Sequence, residues 1–374
     1  MAIVHDPLVA APSASRARVP RFYPLRVTEL RRETPDAVSI TFEIPDDLRE
    51  DYRYEAGQYL TLKTEIDGEE LRRSYSICSC PDDGEMRIAV KQIESGAFST
   101  WVNTVLRPGD LLDVMTPTGR FGLQNSPGNG RTHVAFAAGS GITPVLSIAR
   151  TVLAREPQSR FCLFYGNRSI DTILFRSELE DLKDRYLERL SVFHVLSREE
   201  QDLPVLNGRL DAAKARLLLT ALVPARDVAH AFLCGPSEMI EEIEGALRGL
   251  GLAEGQIHAE RFVSAFSGVP RPRPVVSPTA APAHVAALIV DGKRREVPVA
   301  ADETILDAAL RAGLDLPFAC KGGMCSTCRA KVVEGAVEME VNYALEPWET
   351  EAGFVLTCQA RAKTDRVVID YDQM

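Results

Sequence analysis

From Phe22 to Lys91, apolar and polar residues alternate in short runs separated by turn residues. Phe22–Val27, Val38–Ile44, Gln58–Lys63, Ser74–Ile77 and Met86–Lys91 each read as a strand. Pro45-Asp46-Asp47, Ile66-Asp67-Gly68 and Pro81-Asp82-Asp83-Gly84 are the turns between them. Evenly spaced short strands predict an antiparallel barrel of Greek-key type over residues 20–125. Near its end Gly96 reads as a turn entering a helix, with Ser99 or Thr100 close to the helix start.

The period changes after Pro127-Gly128-Asn129-Gly130. Thr132–Ala138, Arg160–Tyr165, Ser191–Leu196 and Val228–Cys234 are continuous apolar runs, which suits strands buried on both faces. Helical patterns to about Arg155, over Ser177–Arg185 and over Ser237–Leu250 lie between or after them. This alternation predicts a doubly wound α/β domain over residues 128–265. In the loop Gly139-Ser140-Gly141-Ile142-Thr143-Pro144, Thr143 suits a helix N-cap and Pro144 a first helical turn.

A third regime begins at Phe266. Five prolines with Ala and Ser over residues 266–283 predict a semi-rigid linker. Val285–Val290 and Arg295–Val299 then read as a hairpin about Asp291-Gly292. Thr304–Ala312 reads as a helix with Asp302 as a possible cap, and Leu356–Gln359 as a strand or strand end. Residues 284–374 are therefore expected to form a small α+β module.

Composition alters this multidomain picture little. A net charge of −10 argues against nucleic acid or an anionic membrane as partner. No apolar run approaches a membrane span. The first twenty residues carry Asp6 before a short apolar stretch and Arg16 and Arg18 after it, the wrong order for a secretory signal. Eight cysteines, of which Cys78, Cys80, Cys162 and Cys234 read as packed thiols, fit a reducing cytoplasm.

The strongest chemical signal is Cys320-x4-Cys325-x2-Cys328, with Cys358 following later. This is the plant-type ferredoxin spacing, whose four thiolates hold a [2Fe-2S] cluster. Gly322 and Gly323 let the backbone curl around such a group. Zinc would favour a second short cysteine pair, and a disulfide framework would need an oxidising compartment. Earlier, Arg73-Ser74-Tyr75-Ser76 offers a forked cation, an aromatic face and hydroxyls, the groups that a flavin and its phosphates require. Taken alone, that motif reads more readily as a surface arginine beside a half-buried tyrosine. His133, His194, His230 and His258 form no spaced metal set.

In order along the chain, Gly57-Gln58-Tyr59, Arg73-Ser74-Tyr75-Ser76, Val90-Lys91 and Gly96-x-x-Ser99 resemble the ferredoxin-NADP reductase superfamily. The Gly139–Pro144 loop and Cys234-Gly235-Pro236 match that superfamily too, and Glu260-Arg261-Phe262 resembles the end of its nucleotide domain. The resemblance implies a flavin barrel with Tyr75 against the isoalloxazine and Ser76 beside its reactive nitrogen. It implies FAD, with Arg73, Ser74, Val90, Lys91, Gly96, Phe98, Ser99 and Thr100 around it. It implies a nicotinamide nucleotide along Gly139, Gly141, Thr143, Pro144, Cys234, Gly235 and Pro236. Phe262 is either an aromatic near the flavin or plain core. Arg168, with Ser197-Arg198, lies where the superfamily binds a 2′-phosphate, so NADPH is the expected donor. The last 91 residues match a β-grasp ferredoxin.

A nicotinamide nucleotide gives two electrons at once, a two-iron cluster takes one, and a flavin can do both. The chain thus reads as an electron-transfer oxidoreductase whose electrons leave to a partner. With its ferredoxin module at the C-terminus, the arrangement resembles the reductase components of bacterial phenylacetyl-CoA epoxidases. That implies a di-iron oxygenase partner that acts on phenylacetyl-CoA. Other acceptors, such as a different oxygenase or a hybrid-cluster protein, fit the same modules, and a redox-sensing binding module is the reading from another class. Residues 332–357 carry six glutamates and no Lys or Arg, an expected acidic surface for steering the ferredoxin module onto its partner.

Overall fold

The computed structural model describes residues 19–123, 129–262 and 283–373. The expected tail up to residue 18, Pro127-Gly128 and linker residues 266–282 lie outside the described residues.

The first sheet contains β1 (Phe22–Thr34), β2 (Ala37–Glu43), β3 (Tyr59–Ile66), β4 (Glu69–Ser76), β5 (Met86–Lys91) and, after helix α1 (Ala97–Thr104), β6 (Leu111–Met115). Its order is β4-β3-β6-β1-β2-β5, antiparallel throughout. A bridge between Ile77 and Ile88 brings the two edges together and closes the sheet into a barrel around Leu25, Ile40, Leu60 and Leu62. Two elements exceed the sequence pattern. β1 continues to Thr34 because it pairs with β2 along that length, although Arg31, Arg32 and Glu33 break the local alternation. β6 has only five residues, and its pairing with both β1 and β3 makes it a strand.

The second sheet is parallel. It runs through β7 (Thr132–Ala138), α2 (Ile142–Arg155), β8 (Arg160–Asn167), α3 (Arg176–Arg185), β9 (Leu190–Leu196), α4 (Ala212–Leu222), β10 (Val228–Gly235), α5 (Ser237–Gly249) and β11 (Ile257–Arg261). The order β11-β10-β7-β8-β9 reverses direction between β7 and β10. Ligands of open α/β sheets bind beyond the carboxyl ends of the strands at such a point. The residue at the N-cap of α2 is Gly141, not Thr143. A Cβ on Gly141 would lie 2.1 Å from the Cys234 carbonyl oxygen, so only glycine lets this turn approach β10. Thr143 lies inside the helix, and its hydroxyl donates to the Ser140 carbonyl at 2.9 Å.

The third sheet follows β12 (His284–Val290), β13 (Lys293–Val299), α6 (Ile305–Arg311), β14 (Arg329–Glu334), β15 (Val337–Met339), α7 (Pro347–Glu351), β16 (Phe354–Leu356), β17 (Ala360–Ala362) and β18 (Arg366–Asp370). Its order is β13-β12-β18-β14-β16, and β15 and β17 form a separate small ribbon. The first and last strands of the module, β12 and β18, pair in parallel, and α6 packs beside them with Ile305, Leu306, Ala308 and Ala309 fully buried. Thr304, not Asp302, caps α6: its hydroxyl accepts from the Asp307 amide at 3.2 Å. Among the described residues no helix is long and apolar enough to cross a membrane.

Candidate functional site

A crevice of about 1740 Å³ opens where the three sheets meet. β4 lines it with Arg73, Ser74, Tyr75 and Ser76. Lys91 ends β5 and Ser99 lies in the first turn of α1; Ser140 and Thr143 come from the turn into α2, and Arg168 follows β8. Phe262 follows β11, and Cys320 and Cys325 enter from the ferredoxin-like module. Residues as far apart in sequence as Arg73 and Cys325, 252 positions, thus face one space.

Other expected site residues stand behind this wall. Val90 and Phe98 are core, and the Phe98 ring lies 6.0 Å from that of Tyr75, backing it from inside the barrel. Thr100 accepts from the Gln92 amide at 3.2 Å. Ser99 accepts from the Ile93 amide and donates to the Gly96 carbonyl, which shapes the turn. Gly139 and Gly141 shape the turn before α2 together with Pro144, which is buried in its first turn. Gly235 packs its Cα against Ala138, and Pro236 caps α5. Cys234 is fully buried and does not face the crevice, and burial pushes its thiol well above the usual range. Ser197 and Arg198 are exposed just past β9. The Arg198 amide donates to the Arg168 carbonyl at 2.8 Å, which sets the two arginines side by side. Glu199, next in sequence, commits a carboxylate oxygen to the Ile170 amide at 2.8 Å.

One crevice residue has a strongly shifted acidity. Ser76 donates to Glu260 at 3.1 Å, and burial holds the Glu260 carboxyl up at about 7. Glu260 opens the Glu260-Arg261-Phe262 motif, but nothing in its spacing marks it as a partner of a serine 184 positions away.

The four motif cysteines fit a dinuclear cluster. Cys320 lies against Cys325, and Cys328 against Cys358. Two pairs are what two irons sharing sulfides need. The Cys325 thiol and the amides of Gly322 and Met324 hold the Cys320 thiol below its ordinary range. Those amides stand 3.3 and 3.4 Å from Cys320 Sγ. Cys358 lies in the turn after β16, not within a strand.

The module bearing these cysteines is seated on the barrel. Arg21 pairs with Asp291 at 2.7 Å, and the Arg72 guanidinium lies 3.9 Å from the Phe318 ring centre. Arg120 bonds Glu349 at 2.5 Å, and Arg329 reaches the same carboxylate at 2.7 Å. The acidic stretch is accordingly not one free surface. Glu349 is buried, Glu338 pairs with Lys363, and Glu340 pairs with Arg361. The cations lie outside residues 332–357 and are brought back by β14, β17 and the barrel, which a local charge count cannot see.

Models of three families match the chain: an oxidoreductase FAD-binding domain over residues 24–122, an oxidoreductase NAD-binding domain over 136–245, and a 2Fe-2S iron-sulfur cluster binding domain over 288–363. Fold and crevice together define an NAD(P)H-dependent flavin and iron–sulfur reductase. One component of the 1,2-phenylacetyl-CoA epoxidase of Escherichia coli (strain K12) is 47% identical over 94% of this chain and 98% of its own length. The ferredoxin reductase component of 3-ketosteroid-9-alpha-monooxygenase from Rhodococcus rhodochrous is 34% identical over 97% and 99%. The chain belongs to this family of oxygenase reductases. Phthalate dioxygenase reductase, a modular structure for electron transfer from pyridine nucleotides to [2Fe-2S], shares the fold: its TM-score is 0.57 at 22% identity, over 93% of this chain and 98% of that one.

Proposed function

We propose that this reductase carries electrons from NADPH through FAD and a [2Fe-2S] cluster to a di-iron oxygenase acting on phenylacetyl-CoA in a reducing cytoplasm. The single crevice that gathers the Arg73–Ser76 strand, the turn before α2 and two cluster cysteines carries this reading. It also supports the division into residues 20–125, 128–265 and 284–374. The flavin, when bound, supplies the exchange between two-electron and one-electron chemistry. The rest is the work of the chain. Tyr75, backed by Phe98, offers a ring face. Arg73 and the turn at Gly96–Thr100 offer a guanidinium and helix-start amides to a diphosphate. Ser76 can pass its hydroxyl proton between Glu260 and the crevice. Cys320, Cys325, Cys328 and Cys358 would hold the cluster, and Phe262 would cover the crevice until the nucleotide enters.

The NADPH choice is supported by the adjacent Arg168 and Arg198 with Ser197, and by Glu199 being held on Ile170 rather than free for a ribose hydroxyl. Replacing both arginines by alanine is expected to weaken NADPH more than NADH, by roughly 1.5–3 kcal/mol per charge-assisted hydrogen bond lost. Steady-state KM values for the two nucleotides decide it: an unchanged preference refutes the phosphate assignment. The acceptor is tested by adding the purified oxygenase components of the epoxidase and phenylacetyl-CoA and following product. The near full-length similarity to the 3-ketosteroid reductase component supports another oxygenase as the second reading. Dye reduction without any transfer to the epoxidase would favour it.

A further inference from the structure

Tyr59 opens β3 and lies directly across from Ser76 on β4, so the two side chains share one sheet face. Ser76 faces the crevice on one side. The Tyr59 side chain also lines the crevice and reaches along its wall to the ferredoxin-like module. Its one hydroxyl proton lies between two acceptors, the Cys325 carbonyl and Thr327 Oγ1 at 2.9 Å, and is placed to be shared by both. Thr327 Oγ1 in turn lies 3.2 Å from Cys325 Sγ, placed to donate to it. The ring packs on Gly119, where an added Cβ would sit 2.9 Å from the tyrosine Cδ1. Only 5% of Tyr59 is exposed. One barrel side chain therefore joins the strand that lines the crevice to the backbone and, through Thr327, to the sulfur of a cluster cysteine.

We propose that Tyr59 is a positioning residue for electron passage from flavin to cluster: it fixes Cys325 at the crevice edge and holds Thr327 in place to hydrogen-bond Cys325 Sγ. This rests on Cys325 being a cluster ligand. In the step, one electron leaves the reduced flavin and one ferric ion of the cluster becomes ferrous. No atom is transferred, and Tyr59 is neither oxidised nor deprotonated. Outer hydrogen-bond partners orient metal ligands and tune the metal, and donors to cluster sulfurs favour the reduced state. Looseness of about an ångström in such a support is enough to cost function.

The test uses the full-length protein with FAD and iron bound, as wild type, Tyr59→Phe, Thr327→Val and the double variant. Tyr59→Phe keeps the ring and its packing. Anaerobic stopped-flow mixing with NADPH separates flavin reduction from cluster reduction, and EPR-monitored titration gives the cluster potential. Tyr59→Phe is expected to slow cluster reduction at least tenfold relative to flavin reduction in the same trace, and to lower the cluster potential. Adding it to Thr327→Val should lower the potential no further. An unchanged ratio of the two phases, equal slowing of both, loss of iron from Tyr59→Phe, or additive potential shifts would each overturn the proposal. A wild-type chain that binds no iron would instead remove the cluster assignment, and the proposal with it.

Discussion

Burial raises the Glu260 carboxyl to about 7, and the hydrogen bond from Ser76 only partly opposes it. The folded chain thus keeps this proton up to about pH 7, whereas the unfolded chain releases it near the ordinary value of 4.5. Stability from this group is full below 4.5 and falls as pH rises through that window, by at most about 3 kcal/mol at 1.36 kcal/mol per unit. Glu260→Gln carries no such charge. Its melting temperature is expected to exceed that of wild type at pH 8 and to converge with it near pH 4.5. Thermal melts across that range check this, and a difference independent of pH would show that the carboxyl does not titrate there.

At the scale of elements, β7, β10 and β11 carry His133, His230 and His258 near their starts. His230 Nδ1 lies 3.0 Å from His258 Nε2, and the His133 and His230 rings stack at 5.6 Å. Burial lowers all three; neighbouring imidazoles add to it at His230 and His258, whereas Glu156 partly opposes it at His133, and His230 is brought down to about 4. The unfolded chain binds protons here near 6.5 while the folded sheet resists them, so stability is lost as pH falls from about 6.5 towards 4. His230→Phe keeps an aromatic ring in the stack and removes one titrating group. The fall in unfolding free energy between pH 6.5 and 4 should become shallower than in wild type. Denaturant titrations at several pH values measure that slope, and an unchanged slope would show that His230 is not protonated on unfolding.

At the scale of the molecule, the ferredoxin-like module sits on the barrel through a buried carboxylate between two arginines. Glu349 and Arg329 are nearly inaccessible, whereas Arg120 is 39% exposed. Removing the shared anion leaves two guanidinium groups facing each other without compensation. Breaking such a buried pair costs about 3–5 kcal/mol. Glu349→Gln is therefore expected to destabilise the protein by about that much, whereas Glu351→Gln, on the exposed side of α7, changes it by less than about 0.5 kcal/mol. Chemical denaturation of both variants tests this, and equal effects would mean that Glu349 is ordinary surface.

Local chemistry was legible in the sequence wherever a feature repeats over a few residues. The Cys320–Cys328 spacing, the Asp291-Gly292 hairpin, the apolar runs of β7, β8, β9 and β10, and the turn at Gly96 are all of that kind, because backbone geometry links neighbours directly. β6 and the full length of β1 could not be read this way, since strand pairing rather than local alternation makes them strands. Pairings across the chain left even less trace: Ser76 with Glu260, Tyr59 with Cys325 and Thr327, and Arg120 with Glu349. Each partner alone is an ordinary serine, tyrosine or glutamate, and its role arises only when the closed barrel, the parallel sheet and the β-grasp sheet meet. Glu338, Glu340 and Glu349 show the same limit from the other side, because the cations that pair with them lie outside residues 332–357 and arrive only with folding. Local spacing specified the three modules and a cysteine set suited to a cluster; how one module is held against another came only with folding, because that holding depends on burial and on contacts between residues far apart in the chain.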